Sequence, residues 1–473
     1  MTREEYINLD AVALAALIAG GEVSAAEALE AALARLAEVN PKLNAVTQDL
    51  SERARALVAD GAPAGPLGGV PFLLKDLGPA LAGTPTTSSC WLYKDDIATA
   101  DSPLAAFYQR AGLVIFGKTN TPELGLEPIT EPAMFGPTRN PWDLARTSGG
   151  SSGGAAAATA AGVVAAAHAS DGGGSIRIPA SACGLFGLKP SRGRVSYAPK
   201  DEGWGGFSTG HAVTRTVRDS AVLLDIACQP QPGDPYWLDP PARPFAEEVG
   251  RDPGALRIGF TTAAMASDRL DPECAQAVLD AARLCESLGH RVEEISMPAS
   301  LRGAIAAAGV VVSCSVAADL DAVAERRGRP IGEDEIEPIT FSSYQRGRGI
   351  DASSYLRALR LTRAFGRDMA ALFEGCDVLV TSTLGSPAIP IGALHGEPLD
   401  LHGYSRRLFA FMPNTQAFNL SGQPAMSVPL AWSSGGLPIG VQFAARQAGE
   451  GVLLRLAAQL EQARPWIGRR PPL

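Results

Sequence analysis

Hydrophobic and polar positions repeat with two different periods along this chain, and each change of period indicates a helix or a strand. The segment SAAEALEAALARLAEVN begins with Ser24 and Glu27 in capping-box spacing, and its leucines recur on one helical face. A second helix opens with Ser102 and Pro103 and closes at Gly112. The segments that predict strands are LVIFG, RIGFTT, RVEEISM, DVLVTS and GVQFAA.

Helices and strands alternate over the whole chain. A capped helix over 271–289 lies between two predicted strands. An amphipathic helix is predicted around residues 453–460, near the C-terminus. Such alternation predicts an α/β protein built on one large sheet. We interpret 1–473 as a single domain that begins with a helical segment, 1–64. The proline-rich stretch at 229–245 is interpreted as a surface crossing between two halves of the sheet.

Charge, cysteine spacing and hydropathy exclude several classes of protein. The sequence has 41 Lys and Arg residues and 50 Asp and Glu residues, which gives a net charge of −9. Because it also lacks a run of basic residues, we expect no nucleic-acid partner. The seven cysteines lack zinc or disulfide spacing, so we expect no metal site and a reducing compartment. The apolar stretches at 11–21 and 155–169 are shorter than the roughly 20 residues of a membrane span. With no signal-peptide pattern at the N-terminus, the sequence predicts a cytoplasmic protein without a membrane segment.

Two glycine-rich stretches, TSGGSSGG (147–154) and SDGGGSIR (170–177), are candidate functional loops. Each glycine destabilises a helix or strand by about 0.5–1 kcal/mol relative to alanine. Three glycines in succession therefore indicate a loop whose backbone, unshielded by side chains, has a function. Exposed N–H groups of this kind bind phosphate or stabilise an oxyanion. Neither stretch matches the phosphate-binding patterns. Residues 149–153 fit the G-x-S-x-G nucleophile elbow, but a polar, turn-like segment precedes them where an elbow needs a buried strand.

A lysine in the apolar segment GGVPFLLKDL is a candidate general base. Lys75 follows Phe72, Leu73 and Leu74, where a charged ammonium group is costly. Burial lowers the pKa of a lysine and lets it accept a proton near neutral pH. The alternative is a structural ion pair with the adjacent Asp76 or another carboxylate.

Five blocks of this sequence, in this order, resemble those of the amidase-signature serine hydrolases: GVPFLLKDL, GKTNTPELG, TSGGSSGG, SDGGGSIRIPASACGLFGLKPSRGRVS and NLSGQPAMSVP. All but the last fall within 65–200, which is therefore the expected catalytic core, and looser similarity flanks them over nearly the whole chain. The resemblance implies an α/β fold whose large mixed central β-sheet is covered by helices on both faces. It also implies hydrolysis of carboxylic amide bonds through an acyl-enzyme, without a cofactor.

The same resemblance implies a Ser–Ser–Lys triad. Ser175 is the expected nucleophile, Ser151, preceded by a cis peptide bond, is the bridging serine, and Lys75 is the base. The separation of 24 residues from Ser151 to Ser175 agrees with the family and selects Ser151 over its neighbour Ser152. Neutral Lys75 takes a proton from Ser151, which takes one from the attacking Ser175. The backbone N–H groups expected to hold the oxyanion are those of Gly172, Gly173, Gly174 and Ser175.

Several other residues carry weaker predictions. Asp171 and Arg177 bracket the nucleophile loop and either hold its shape or form an ordinary surface ion pair. Ser152 is expected to hydrogen-bond locally. Gly172 stands where the family often has a larger residue, so a looser loop is expected. We expect the five histidines to be structural: His168, His211, His290, His395 and His402. Six aromatic residues are expected to pack in the core, the alternative being that they line an acyl or leaving-group pocket: Trp91, Phe135, Trp204, Phe207, Tyr344 and Phe411.

The substrate is the least determined feature. The segments DPECAQAV, NLSGQPAMSVP and ARPWIGRRPP favour the nylon-oligomer-hydrolase and urethane-hydrolase subset of the family. We expect a small-molecule amide or carbamate substrate, an esterase side activity, and a monomer or homodimer, with pocket walls from 123–138 and 402–419. The alternative is a glutamine-amidotransferase subunit that acts with a partner protein. A non-catalytic scaffold is disfavoured because Lys75, Ser151 and Ser175 are all present.

Overall fold

One large β-sheet organises the molecule. The structure is a computed structural model that describes residues 1–200, 202–396 and 401–473, without the side chains of Leu401 and His402. The strands are β1 (Val46–Asp49), β2 (Pro71–Lys75), β3 (Val114–Thr119), β4 (Arg139–Asn140), β5 (Asp143–Thr147), β6 (Ala166–Asp171), β7 (Phe186–Lys189), β8 (Thr209–Thr214), β9 (Arg257–Phe260), β10 (Arg291–Glu294), β11 (Val378–Ser382), β12 (Ala425–Trp432) and β13 (Pro438–Ala445).

The strand order shows a mixed sheet. Eleven strands follow the order β1-β3-β2-β6-β8-β7-β12-β13-β11-β9-β10. Strand β2 is parallel to β3 and β6, and β9 is parallel to β10 and β11, whereas β8 pairs antiparallel with β6 and β12 with β13. Strands β4 and β5 form a separate two-stranded sheet. The predicted fold class, an α/β protein with a large mixed central sheet, is confirmed.

Helices cover both faces of the sheet. Successive strand residues point to opposite faces, and on β11 Val378 and Val380 join one hydrophobic core while Leu379 joins another. The helices are α1 (Arg3–Asn8), α2 (Ala11–Ala19), α3 (Ala25–Leu43), α4 (Ser51–Val58), α5 (Pro103–Arg110), α6 (Gly153–Ala160), α7 (Arg177–Cys183), α8 (Val217–Ala227), α9 (Pro272–Ser287), α10 (Leu301–Arg327), α11 (Pro338–Arg348), α12 (Ala352–Gly375), α13 (Leu401–Phe411), α14 (Gln416–Ser421) and α15 (Glu450–Ala463).

The predicted helix starts lie where the capping residues indicated. Ser24 caps α3, because the Glu27 N–H donates to its Oγ at 3.1 Å while the Glu27 carboxylate accepts from the Ser24 N–H at 2.8 Å. Ser102 caps α5, with Pro103 as the first helical residue. The five predicted strand segments correspond to β3, β9, β10, β11 and β13.

The apolar stretches pack within the fold. The stretch at 11–21 contains α2, and the stretch at 155–169 is a buried part of α6 and β6. Helix α10, which the sequence pattern did not single out, is long and apolar enough to cross a membrane by length and composition alone. It packs along α11 and α12 and buries residues such as Val311 and Leu320. Because core helices pass the same test, α10 is weak evidence for a membrane span.

The proline-rich segment at 229–245 connects distant parts of the sheet. It has no helix or strand until a short 3₁₀ helix begins at Phe245, and it follows α8. The last strand before this segment is β8, which lies near the middle of the sheet. The first strand after it is β9, which lies next to the edge strand β10. All the strands that carry the glycine loops therefore precede this crossing.

Candidate active site

Lys75 is the last residue of β2 and points towards serine hydroxyls. Every residue of β2 is buried, because β3 and β6 pair with it on either side. The Nζ atom lies 2.7 Å from Oγ of Ser151 and 3.0 Å from Oγ of Ser170. Asp76, the alternative partner, instead accepts hydrogen bonds from the backbone N–H and the hydroxyl of Thr87. Lys75 is therefore not paired with Asp76.

Burial sets the charge of Lys75. Its side chain is inaccessible to solvent, and desolvation lowers the pKa of the ammonium group from the ordinary 10.5 to about 7, although the negative charge of Asp171 acts in the opposite direction. A lysine with this pKa is largely neutral in slightly alkaline solution. It then has a lone pair on Nζ with which to accept a proton from Ser151.

Two neighbouring serines in the loop between β5 and α6 have different partners. The Gly150–Ser151 peptide bond is cis, and the Ser151 hydroxyl contacts Lys75. The Ser152 hydroxyl donates to the carbonyl oxygen of Ser170 at 3.2 Å and accepts from the Ser170 N–H at 3.3 Å. Ser152 therefore bonds to the backbone of β6, whereas Ser151 contacts Lys75. Strand β5 belongs to the separate two-stranded sheet, so this loop lacks the buried central strand of a nucleophile elbow.

Ser175 lies on the loop between β6 and α7 and opens onto a cavity. The cavity has a volume of about 720 Å³, and Ser151 and Ser170 line it as well. The Ser175 side chain is only 8 % exposed. Within the described residues its hydroxyl forms no hydrogen bond, including none with Ser151. The hydroxyl is therefore unengaged and accessible from the cavity.

A buried ion pair holds this loop from the side of the core. Asp171 at the end of β6 and Arg177 at the start of α7 are both inaccessible to solvent, with Nε–Oδ2 and Nη2–Oδ1 distances of 2.9 Å. The same carboxylate accepts hydrogen bonds from the backbone N–H groups of Gly174 at 2.7 Å and Ile176 at 3.2 Å. Of the two interpretations of this pair, the structure shows the one in which it holds the loop.

Residues from the C-terminal part of the chain complete this network. Arg177 donates to the carbonyl oxygen of Thr415 at 2.7 Å, to Oε1 of Gln442 at 2.6 Å and to Oδ1 of Asn419 at 2.7 Å. Asn419 in turn donates to Oδ1 of Asp171 at 2.8 Å. Burial alone raises the pKa of Asp171, but the charge and hydrogen bonds of Arg177 outweigh it and lower the pKa to about 2. Nothing in the sequence singled out Thr415 or Gln442, whereas Asn419 opens one of the family-like blocks.

One of the expected oxyanion donors has another partner. The Gly174 N–H donates to Asp171, so it is not available to an oxyanion, which corrects the expected set. Gly174 has a φ of +136°, and a Cβ atom there would lie 2.4 Å from Oγ1 of Thr415, so this position requires glycine to shape the loop. In the part of the chain that the structure describes, the N–H groups of this loop without an acceptor are those of Gly172, Gly173 and Ser175.

The cavity walls come mostly from segments that were not predicted. From the expected segment 123–138 only Leu124 and Gly125 line the cavity, and among its described side chains the expected segment 402–419 contributes none. That second segment instead supplies Thr415 and Asn419 to the buried network. The main walls are residues between 77 and 98, between 197 and 208, and the face of α10 between 315 and 326.

The histidines occupy positions outside the triad. The His168 Nδ1 atom accepts the backbone N–H of Lys75 at 3.3 Å, and burial lowers the pKa of His168 so that the ring is neutral. His211 and His290 are buried, and His395 contacts Glu127, whereas the side chain of His402 lies outside the described set. Throughout the described ranges, no three His, Cys, Asp or Glu side chains are grouped to hold a metal ion, and the seven cysteines are free.

The aromatic residues divide between core and surface. Phe207, Tyr344 and Phe411 are buried, as predicted. Trp91 is 53 % exposed, so its assignment to the core was wrong: it sits in a short 3₁₀ helix at the surface. Trp204 is half-buried and lines the cavity that contains Ser175.

Comparison with known proteins connects this geometry to a family. Residues 27–454 match the amidase family. The 6-aminohexanoate-cyclic-dimer hydrolase of Paenarthrobacter ureafaciens is 40% identical over 98% of this chain and 96% of its own length. The acylamidase of Rhodococcus erythropolis is 33% identical over 100% of this chain and 98% of its own length.

Solved structures give the same relationship. A 6-aminohexanoate cyclic dimer hydrolase in complex with substrate has a TM-score of 0.93 and 38% identity, covering 98% of this chain and 99% of that one. A glutamyl-tRNA(Gln) amidotransferase subunit from Thermotoga maritima is more distant, with a TM-score of 0.77 and 27% identity over 98% of this chain and 95% of that one. With a match over most of its length and hydrolases as its more similar relatives, this chain belongs to the amidase family of amide-bond hydrolases.

Proposed function

We propose that the protein hydrolyses small-molecule amides through an acyl-enzyme on Ser175, with Ser151 as the proton relay and Lys75 as the base. The observation that carries this proposal is the 2.7 Å contact between Nζ of Lys75 and Oγ of Ser151. Ser151 and Ser175 line the same cavity, so a substrate carbonyl bound there has access to both hydroxyls. A buried lysine with a lowered pKa supplies the basicity that histidine supplies in other serine hydrolases.

In the acylation step, Oγ of Ser175 attacks the carbonyl carbon of the amide. The Ser175 proton passes to Ser151 as the Ser151 proton passes to the lone pair of Lys75, leaving an ammonium group and a tetrahedral oxyanion. When the oxyanion collapses, the C–N bond breaks and the departing amine takes a proton back through Ser151. Ser175 then carries the acyl group as an ester, and Lys75 is neutral again.

Deacylation repeats the sequence with water. Water adds to the ester carbonyl and gives its proton through Ser151 to Lys75. When the tetrahedral intermediate collapses, the bond to Oγ of Ser175 breaks, Lys75 returns that proton through Ser151 to this oxygen, and the carboxylic acid is released. In both steps the oxyanion is held by the unpartnered N–H groups of Gly172, Gly173 and Ser175. Each such donor contributes about 3–4 kcal/mol to transition-state stabilisation in comparable sites.

The proposed substrates are small amides of the kind named for the relatives. The cavity of about 720 Å³ is of the size that small-molecule sites have, roughly 300–1,000 Å³. The 40% identity to a 6-aminohexanoate-cyclic-dimer hydrolase supports nylon-oligomer-like amides, and the more distant relation to the amidotransferase subunit makes that alternative less well supported. Carbamate and ester cleavage remain predictions, based on the same attack at a carbonyl whose neighbouring atom differs.

We also propose that the enzyme acts in the cytoplasm, as a monomer or homodimer. The seven free cysteines support a reducing compartment. The three proposed catalytic residues and the ion-pair network all lie within one chain, which supports activity without a partner protein.

The test is release of the same aromatic amine from a matched anilide and a matched carbamate by wild type and by Ser175→Ala. We expect wild type to cleave at least the anilide and the variant to cleave neither. Cleavage by wild type alone supports the triad, and the ratio of the two rates gives the preference between carbonyl types. If the purified wild type cleaves neither compound nor any other simple amide, the proposal of an independent hydrolase is wrong.

A further inference from the structure

Trp204 contacts the nucleophile loop at a position where that loop has no side chain. A Cβ atom placed on Gly172 would lie 2.8 Å from Cε3 and 2.9 Å from Cζ3 of Trp204, and 2.8 Å from Oγ of Ser208. The indole therefore occupies the space of a side chain at 172, and the loop is not loosened there as the sequence suggested. The adjacent Gly173 differs, because a Cβ atom there would meet only Cε of Met412, at 3.8 Å.

The turn that carries Trp204 is attached to the network under the nucleophile. The Phe207 N–H donates to the carbonyl oxygen of Trp204 at 3.3 Å. Asn419 donates to the carbonyl oxygen of Phe207 at 3.1 Å and also to the carboxylate of Asp171 at 2.8 Å. The same amide thus holds both the indole turn and the base of the Ser175 loop, which fixes their relative position.

The exposed part of the indole belongs to the substrate cavity. Trp204 packs part of its ring against the hydrophobic core formed by α10, α12 and α14, and it lines the cavity together with Gly172 and Ser175. A flat, apolar surface therefore lies beside the loop whose N–H groups are proposed to hold the oxyanion. Such a surface favours contact with the hydrocarbon part of a substrate, and its ring face forms no hydrogen bond with a short polar substituent.

We infer that Trp204 is the specificity-determining wall of the site. Gly172 is its matched partner, because the absence of a side chain at this position leaves room for the indole to contact the oxyanion loop. This inference rests on the proposed role of Ser175. The substrates it indicates are amides whose scissile group carries a hydrocarbon chain of several methylenes. Full burial of one methylene group strengthens transition-state binding about fourfold. A wall that contacts the chain on one side gives a smaller increase for each methylene.

The test compares wild type with Trp204→Ala and Trp204→Phe on two matched pairs of amides. The first pair is hexanoyl and acetyl p-nitroanilide, which vary the acyl chain, and the second is the hexylamide and methylamide of acetic acid, which vary the amine chain. We expect at least one long-to-short ratio of kcat/KM to fall about tenfold in Trp204→Ala and less in Trp204→Phe. Trp237→Ala is the control, since this side chain is 67 % exposed and does not line the cavity.

The outcomes separate this inference from the proposed function. If wild type cleaves these amides and Trp204→Ala leaves both ratios within twofold of wild type, the inference is wrong while the proposed hydrolysis stands. If wild type cleaves none of them, the proposed function fails first. Should Trp204→Ala not fold, the phenylalanine variant gives the decision, because it keeps most of the apolar volume and still changes the shape of the wall: a fall of more than about twofold in either ratio supports the inference, and both ratios within twofold of wild type overturn it.

A double-mutant cycle tests the contact between the two residues. Gly172→Ala forces its methyl group against both the indole and Oγ of Ser208. Because Trp204→Ala removes only the first of these two clashes, we expect Gly172→Ala to lower kcat/KM less in the Trp204→Ala background than in wild type, without becoming neutral there. Gly173→Ala makes the same change one residue later without touching the indole, and its effect should be the same in both backgrounds. Equal effects of Gly172→Ala in both backgrounds would overturn the matched-partner inference.

Discussion

The Nζ atom of Lys75 and Oγ of Ser151 lie 2.7 Å apart although 76 residues separate them in the chain. The lysine is fixed at the end of a fully buried strand, and the serine follows a cis peptide bond in a loop that packs beside it. Neither side chain needs to move for a proton to pass between them. The behaviour expected of the enzyme and its variants follows from this contact and from the network that supports it.

Replacing Ser175 with alanine is expected to lower kcat by about 10³-fold or more, because no other hydroxyl of the site replaces the nucleophile. The unfolding temperature should remain close to that of wild type, since the Ser175 hydroxyl forms no hydrogen bond in the described structure. Steady-state kinetics and a thermal melt measure the two quantities.

Ser152→Ala is the matched control for that experiment. This substitution removes two hydrogen bonds to the Ser170 backbone and should cost about 1–3 kcal/mol of stability, because buried backbone groups lose their partner. The folded variant should keep far more activity than Ser175→Ala. If the two variants were equally inactive in the folded state, the assignment of roles between these serines would be wrong.

Activity should rise with pH through an ascending limb near pH 7. Lys75 has a pKa lowered to about 7 by burial, so below that pH its ammonium form has no lone pair to accept the Ser151 proton, and above it the neutral amine predominates. The measurement is kcat/KM between about pH 5.5 and 9, with circular dichroism to show that the protein stays folded. A rate that falls across this range in the folded protein contradicts a lysine base.

Asp171→Asn should destabilise the fold by about 3–5 kcal/mol at neutral pH, because it leaves Arg177 buried without its carboxylate. The folded-state pKa of Asp171 is lowered to about 2, so its carboxylate contributes stability above its ordinary pKa of 3.8 and loses that contribution as the pH falls towards 2. The difference between wild type and variant in urea unfolding should therefore shrink below pH 4.

The control for this comparison is Asp280→Asn, which breaks an exposed ion pair with Arg283 and should change stability little at any pH. A stability difference for Asp171→Asn that is equally large at pH 7 and at pH 3 would show that the charge of the carboxylate is not what the loop depends on.

Chelators should leave the activity unchanged. The proposed chemistry uses only protein groups, and within the described ranges no three metal-ligating side chains are grouped. Overnight dialysis against EDTA followed by the anilide assay is the measurement. Loss of activity that a specific divalent cation restores would contradict the prediction.

The sequence predicted the features that depend on local pattern. Ser24 and Ser102 cap their helices because capping requires only neighbouring residues. The fold class followed from the alternation of helices and strands and from the family resemblance. Placing the three candidate catalytic residues required that resemblance, because the contact between Lys75 and Ser151 depends on how distant segments pack.

The sequence did not predict features that depend on the direction of a group. Helix α10 is apolar along most of its length, so its pattern could not show that residues near 315–326 line the cavity. The Gly174 N–H was expected to face the substrate, but the Asp171 side chain, three residues earlier, accepts it. Aspartate commonly bonds to backbone N–H groups nearby, so the sequence did contain a signal for this contact.

The buried network joins segments that are far apart in the order of synthesis. Lys75, Ser151 and Ser175 all emerge from the ribosome before the proline-rich crossing at 229–245, whereas Asn419 and Gln442, which bond to Arg177, emerge long after it. Until they arrive, the guanidinium under the nucleophile loop lacks two of its acceptors. A nascent chain therefore carries Lys75, Ser151 and Ser175 for most of its translation without the completed network, and we expect hydrolysis to begin only when nearly the whole protein has been made.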